Sequence, residues 1–522
     1  MAPRPSYRPA ILKPESGGIY TSTNLTIPGI LRLIIGFLVS LLLLPLNTSV
    51  LLSTALLNRF HALRSPEQLN RQQLLQNPHF YPKTILITGV STVRGLKLAR
   101  QFHYGGHRVI GADVGLLPVR PGGSMSNTIF AYYSVSKAQY ICNLIDIINR
   151  EKVDLWIPYS DFVTPVEDGM AKSTIESRTA CRCFHVNMNY VTLFDQTDSF
   201  LKHVSERGLP TAAKQKVHSR DSLHRILNGS PNKAYLVYNP SKGTVQDAVS
   251  LPKSTRSQTY SDVSVLEISK DNPWILHQRG RLGKYWVDLV LVRGYVRAIQ
   301  VHPLHSQPSE KGDSIVENGL HETMKRLMDS FAEKVGPRIS GHLSIQLMVD
   351  KEIATNSVCY AIYICGCRQG SAATSGLLDD PPPDLFNIYL EILSPEVNGI
   401  PSTPEGVPFG ESGKNHAAAW EQPRASSSWV AEITKRLAGQ IEQLQHAIAP
   451  LVHFSQRAHG FELLDRTGFS ILDPLPWWWH YHISQPLNSL VSLFDGEVEM
   501  PVKSHSWNAH IHGFSTANRT QR

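Results

Sequence analysis

The sequence predicts a two-lobe protein carried on an N-terminal transmembrane helix: an α/β Rossmann-like lobe, then an α+β lobe with antiparallel sheets. Three observations predict it. A strand–helix–strand unit occupies residues 82–114, an uncharged apolar run fills 33–57, and a hairpin signal at Arg293-Gly294 sits among alternating strands. At 522 residues the chain exceeds one ordinary domain and calls for two or three.

The apolar run, Leu33 to Leu57, holds 25 residues without a charge. A spanning helix needs about 20. Pro45, Asn47, Thr48 and Ser49 interrupt it, which leaves a kinked single pass and a re-entrant hairpin both open. A secretory signal is disfavoured by the long segment ahead of the run. Seven Lys/Arg against Glu15 and Glu67 put +5 of the net +8 in residues 1–82. The rest is close to neutral, which argues against a nucleic-acid surface. Positive residues flank the run on both sides, so orientation is undetermined; the main domain is expected in the cytosol.

In the first lobe, Ile85-Leu86-Ile87 is a strand and Gly95 to Phe102 a helix with Leu96, Leu98, Ala99 and Phe102 inward. Arg108 to Asp113 is the second strand. A dinucleotide site needs G-x-G-x-x-G. After Gly89 the next two places hold Ser91 and Arg94, so that site is not expected. Ala138–Arg150 reads as a helix and Val153–Ile157 as a strand. In the second lobe, Phe200–Arg207 and Ser222–Leu227 read as helices, Ala234–Tyr238 and Ile275–Gln278 as strands. Trp286–Val292 turns into Tyr295–Val301. Leu320 to Val335 forms an amphipathic helix, followed by strands Leu343–Val349 and Val358–Cys365. Residues 379–428 are rich in Pro, Gly and Ser and read as an insertion, in which Leu385–Leu393 has the apolarity to dock. Val430 to Ile448 marks a long helix.

Several motifs were weighed for chemistry. Tyr133-Ser-Val-Ser-Lys137, at the start of an expected helix, mimics the Tyr/Lys pair of short-chain dehydrogenases, but it follows Gly89 too closely for the intervening strands and helices. The two CxC pairs, Cys181/Cys183 and Cys365/Cys367, lack the CxxC spacing of structural zinc and read as packed thiols, the second pair on one strand face. His480, His482, His505, His510 and His512 lack ligand spacing. Trp477–Trp479 suits either a membrane surface or a core. Asn24, Asn47, Asn228 and Asn518 lie in glycosylation sequons that matter only in a lumenal chain.

Three stretches carry a family resemblance: VDLWIPYSD (153–161), DSFLKHVSERGLPTA (198–212) and ICGCRQGSA (364–372), with DPLPWWWHYH (473–482) beyond them. In order and spacing the chain resembles the ATP-grasp superfamily, in particular the membrane-anchored ATP-grasp proteins of fungal secondary metabolite clusters. The resemblance implies a pre-ATP-grasp lobe at 83–195 and an ATP-grasp lobe at 196–378. Before them stand a tail (1–32), the anchor (33–57) and a linker (58–82). After them come the insertion (379–428), a helical and aromatic segment (429–500) and a tail (501–522).

The resemblance implies ATP and Mg2+ between two antiparallel sheets. A small-molecule carboxylate would be phosphorylated to an acyl phosphate and captured by an amine. It puts Tyr238 at the phosphate lysine, His277 and Gln278 on the hinge strand, Lys284 where glutamate is usual, and Gln346 at a metal ligand. Arg368 stands as the family has it, while Ile364 and Gly366 replace a Glu and an Asn. Two functions follow as expectations: a ligase of carboxylate and amine, or a degenerate pseudoenzyme serving as a membrane-bound scaffold or binding protein for biosynthetic enzyme partners.

Overall fold

The computed structural model describes residues 27–59, 66–115, 119–230, 233–240, 248–304, 314–335, 338–354, 357–379, 385–394, 469–470 and 472–495. The apolar run lies within one continuous helix, α1 (Ile27–Arg59), with Pro45 inside it. Thr48 and Ser49 donate their hydroxyls to the carbonyls of Leu44 (2.6 Å) and Pro45 (2.8 Å), so the polar interruptions are absorbed along the helix and no hairpin forms. A second helix, α2 (Pro66–Gln76), occupies part of the stretch read as linker.

The first lobe is a five-stranded parallel sheet of order β3-β2-β1-β4-β5. Its strands are β1 (Thr84–Thr88), β2 (Arg108–Val114), β3 (Ala131–Val135), β4 (Leu155–Pro158) and β5 (Arg182–Cys183). Between β1 and β2, α3 (Val93–Tyr104) starts where the Thr92 hydroxyl accepts the Gly95 N–H, and it buries Leu96, Leu98, Ala99 and Phe102. Gly89 (φ 88°) is required, because a Cβ there would stand 2.2 Å from the Tyr159 carbonyl oxygen. α4 (Tyr140–Glu151) and α5 (Pro165–Arg178) follow, the latter opened by a Thr164/Glu167 capping box. The expected helix start at Tyr133 is corrected: Tyr133 is central in β3, whose run Ala-Tyr-Tyr-Ser-Val suits a strand.

After α6 (Met188–Asp195) and α7 (Thr197–Glu206) come two four-stranded antiparallel sheets. The smaller has the order β6-β9-β7-β8, from β6 (Lys214–Val217), β7 (Ala234–Tyr238), β8 (Val249–Leu251) and β9 (Trp274–Arg279). Helices α8 (Arg220–Gly229) and α9 (Arg256–Val265) belong to it, and Leu223 and Val263 pack with Tyr235, Val237 and Leu276 on one face. The larger has the order β11-β10-β12-β13, from β10 (Gly283–Val292), β11 (Tyr295–Pro303), β12 (Gly341–Ala354) and β13 (Ser357–Gln369). α10 (Ser314–Val335) covers one face, where Met324, Met328 and Phe331 meet Val287, Leu289 and Ile345. The other face joins the lobes: Val290 and Val292 share a core with Ile85, Phe102 and Tyr159.

α11 (Ser375–Asp379) and α12 (Leu385–Leu390) complete that shared core through Leu377, Leu378, Leu385 and Tyr389. The apolar stretch at 385–393 is thus docked between lobes. The long helix expected at 430–448, the tail histidines, Asn24 and Asn518 lie outside the described residues. The last described elements are α13 (Leu475–Trp479), a π turn (His480–Ser484) and α14 (Gln485–Asp495). Asp473 leads into them fully buried, 3.0 Å from the Arg100 guanidinium.

Candidate functional site

The two antiparallel sheets meet at a hinge. β9 runs through Gly280 into β10, and a Cβ at Gly280 would lie 2.5 Å from Met348 and 2.6 Å from the Val349 carbonyl oxygen, so only glycine lets the chain pass this close to β12. The Leu282 N–H donates to that carbonyl (3.2 Å). At the same end of the smaller sheet, Ala212 donates to the Ile364 carbonyl (3.0 Å) and the Ile364 N–H to Pro210 (2.9 Å). Lys214, two residues on, therefore begins β6 beside β13.

Strand alternation decides which side chains face the cleft. In the smaller sheet Tyr235, Val237, Val217 and Leu276 face its own core, so Lys214, Lys216, Leu236, Tyr238 and His277 lie on the opposite face; Lys214 pairs with His277, and Tyr238 with Ile275. Gln278 lies on the core side, where its amide oxygen accepts the Ala213 N–H (3.2 Å) and its buried Nε2 has no partner. Thus His277 and Tyr238 share the cleft face, while Gln278 fixes the backbone beneath it.

On the larger sheet the cleft face carries Lys284, Trp286 and Asp288 of β10. They pair across with Met348, Gln346 and Ser344 of β12, and those with Tyr363, Gly366 and Arg368 of β13. The Arg368 guanidinium stacks on Trp286, 3.7 Å from the ring centre. Asp288 is fully buried and accepts the Ser344 hydroxyl (2.6 Å) and the Gly376 N–H (2.7 Å). Burial raises its carboxyl above the usual range, with the Ser344 bond opposing. Burial lowers the Arg368 guanidinium, and Asp288 holds it up.

Sequence periodicity misplaced two residues here. The register shifts opposite Gln346/Leu347, so Cys365 is an extra residue in β13. Ile364 then pairs with Leu347 and is fully buried in the α10-side core, not in the cleft. Cys365 instead packs on the cleft side with Ala212, Met348 and Tyr363, while Cys367 turns to the opposite face, so the two thiols do not share a face. Gly366 does face the cleft: a Cβ there would meet the Gln346 amide oxygen at 3.7 Å.

Lys284 and Lys214 lie near His277, and Asp198 accepts from the Lys214 ammonium (2.9 Å). Burial, with Lys284 and Lys214 adding their charge, lowers His277 to about 4, so it stands neutral at pH 7. Burial pushes the Cys365 thiol up to about 11, against the pull of Lys284. Lys214 was not foreseen; the polar string Lys214-Gln-Lys-Val gave no strand signal, although its two lysines in alternation were the available clue.

Magnesium beside a triphosphate takes hard oxygen ligands, carboxylates above all. Gln346 offers a neutral amide, Gly366 offers nothing, and Asp288 already accepts two hydrogen bonds. The other carboxylate on this face, Asp350, lies 3.6 Å from Arg281. Among the described residues no three His, Cys, Asp or Glu side chains gather, so nothing beyond these groups offers a protein-made metal cage. The donor set does not fit a magnesium–nucleotide complex.

Among the described residues, the first lobe offers no second centre of this kind. A Cβ at Gly123 would lie 2.0 Å from the Val90 carbonyl oxygen and one at Gly122 2.4 Å from that of Pro476, so the glycine turn after β1 is covered by residues 122–125, themselves packed under α13. The Tyr133 hydroxyl donates to Glu151, a bond that raises the phenol, opposite to what proton abstraction needs.

No protein-family model matches the chain, and no curated protein matches it. Solved structures similar to it include the biotin carboxylase subunit of pyruvate carboxylase, at 9% identity over 60% of this chain and 70% of that one, with a TM-score of 0.43. Another is N5-carboxyaminoimidazole synthetase from Staphylococcus aureus, at 8% identity over 60% and 77%, TM-score 0.36. A third is L-amino acid ligase from Bacillus licheniformis, at 10% identity over 60% and 74%, TM-score 0.35.

Proposed function

We propose that the chain is a membrane-held, ATP-grasp-type binding protein whose inter-sheet cleft takes a phosphate-bearing nucleotide without magnesium and does not carry out ligation. One observation carries this: among the described residues the cleft face presents Lys284 and Arg368, with Lys214 beside them held by Asp198 (2.9 Å), while the carboxylates Asp288 and Asp350 are both engaged. Lysines and a stacked guanidinium suit phosphate oxygens directly. Trp286 keeps the Arg368 plane in place, and neutral His277 offers a hydrogen bond without further charge.

A ligase joining a carboxylate to an amine is the second reading, and one observation favours it. Arg368 stands on the cleft face at the place the sequence resemblance gives it. The two readings separate on the metal. Calorimetric titration of the full chain with ATP, in chelator and in magnesium, is expected to give equal or tighter binding in chelator. Magnesium-strengthened binding, or ADP release that depends on a carboxylate and an amine, would overturn the binding-protein reading and establish the ligase.

A further inference from the structure

We propose that residues 474–494 are a second membrane-embedded element, lying against α1 within the bilayer and tying the first lobe to its surface. The proposal rests on α1 being the anchor; among the described residues it holds the one helix long and apolar enough to cross a membrane, Gly36–Leu56.

From Pro474 to Phe494 the chain has no Asp, Glu, Lys or Arg. Its polar groups meet those of α1. The Asn47 amide donates to His482 Nε2 (2.9 Å), which leaves the ring proton on Nδ1, facing the Ser40 hydroxyl at 3.1 Å. Ser40 in turn donates to the Tyr481 carbonyl (2.9 Å), and the Trp478 indole donates to Thr48 (3.1 Å). The Ser40, Asn47, His482 and Trp478 side chains each donate to a named acceptor with a neutral histidine, as polar side chains in hydrocarbon must, while Asn488 Oδ1 is buried without a hydrogen-bond partner. Asn47 and His482 are each only 8% exposed.

The outward faces have the opposite character. Phe37, Leu38, Leu41, Leu42, Leu46, Leu52 and Leu56 of α1, with Leu487 of α14, are 40–76% exposed. A patch this large and uncharged, on a helix of spanning length, matches a bilayer interior. At the base, the Trp479 indole donates to the Arg120 carbonyl (2.9 Å), and Asp473 accepts from Arg100, Ser126 and the Asn127 N–H. Tryptophans at this junction suit the membrane–water boundary.

The test uses the full chain with Cys142→Ser and Cys359→Ser, reconstituted in phosphatidylcholine vesicles and exposed to a membrane-impermeant maleimide. Single cysteines replace Leu42, Leu487 and, as an aqueous control, Val265, which is 77% exposed. Leu42→Cys and Leu487→Cys are expected to label at least about tenfold slower than Val265→Cys, because hydrocarbon excludes the reagent and the thiolate. A protected Leu42→Cys with Leu487→Cys labelled at the control rate overturns the proposal and leaves the anchor standing. Leu42→Cys labelled at the control rate overturns the anchor, and the proposal with it.

Discussion

Arg368 and Trp286 stack across an intervening strand: β12 separates β13 from β10, yet the guanidinium sits 3.7 Å from the ring centre. The contact holds a cation flat over the cleft floor with no ion-pair partner taking up its donors in full, since Asp288 spends its oxygens on Ser344 and Gly376. Trp286→Leu keeps the apolar volume and loses the ring. A cation–π contact contributes about 0.5–2 kcal/mol, so metal-free ATP affinity should fall roughly twofold to thirtyfold by calorimetry. Unchanged affinity would remove Arg368 from the binding surface.

The bulge at Cys365 separates two substitutions that sequence alone treats alike. Gly366→Asn with Gln346→Glu adds oxygen ligands on the open cleft face. This pair should fold normally and acquire magnesium-dependent ATP binding. Ile364→Glu puts an unpaired carboxylate among Leu347, Val349 and Ile362 and should cost roughly 3 kcal/mol or more in urea denaturation. A tolerated Ile364→Glu would place that side chain in the cleft.

Asp168, buried under the Tyr140 hydroxyl (2.8 Å), is raised to about 7 by burial. Its pKa is higher folded than unfolded, so the native state holds the extra proton. Stability therefore falls as pH rises from about 4 to about 7 and is flat above. Asp168→Asn keeps the acceptor and removes the charge. The variant should gain stability relative to the parent at pH 8 and lose that advantage at pH 4, by denaturant titration at both.

Asp473 has no exposure and pairs with Arg100, whose side chain is 9% exposed. Asp473→Ala leaves that guanidinium buried without its carboxylate, a change worth about 3–5 kcal/mol. Because the pair joins residues 472–495 to the first lobe, the loss should appear as faster protease cleavage of that segment. Arg100→Met with Asp473→Leu should recover much of it.

Legibility in the sequence followed the strength of the periodic signal. The pattern from Trp286 to Val301 and the heavy apolar side of Leu320–Val335 marked their elements within a few residues, because one face is buried against α10. β6 went unseen, since Lys214, Gln215 and Lys216 are all exposed and only Val217 is buried. Of the site, Tyr238, His277, Lys284, Gln346 and Arg368 were placed on strands that enclose one cleft. Gln278 and Ile364 were not, the first because it faces the opposite side of β9 and the second because no residue type announces a bulge. The partnership of α1 with 474–494 lies more than 400 residues apart in sequence and leaves no local trace.

The smaller sheet is pinned to the larger one at two places only a strand apart, at Ile364 through Pro210 and Ala212 and at Val349 through Leu282. Two such points define an axle. In any swing of the smaller sheet about it, displacement would grow with distance from the axle. Lys214 and His277 sit close to it and hardly travel. Tyr238 and Lys216, both paired with Ile275 four residues up β9 from Arg279 and so about 13 Å further out, would sweep a wider arc. The charged end of a bound molecule would thus meet groups already in position, and adaptation to its shape would be confined to the Tyr238 end.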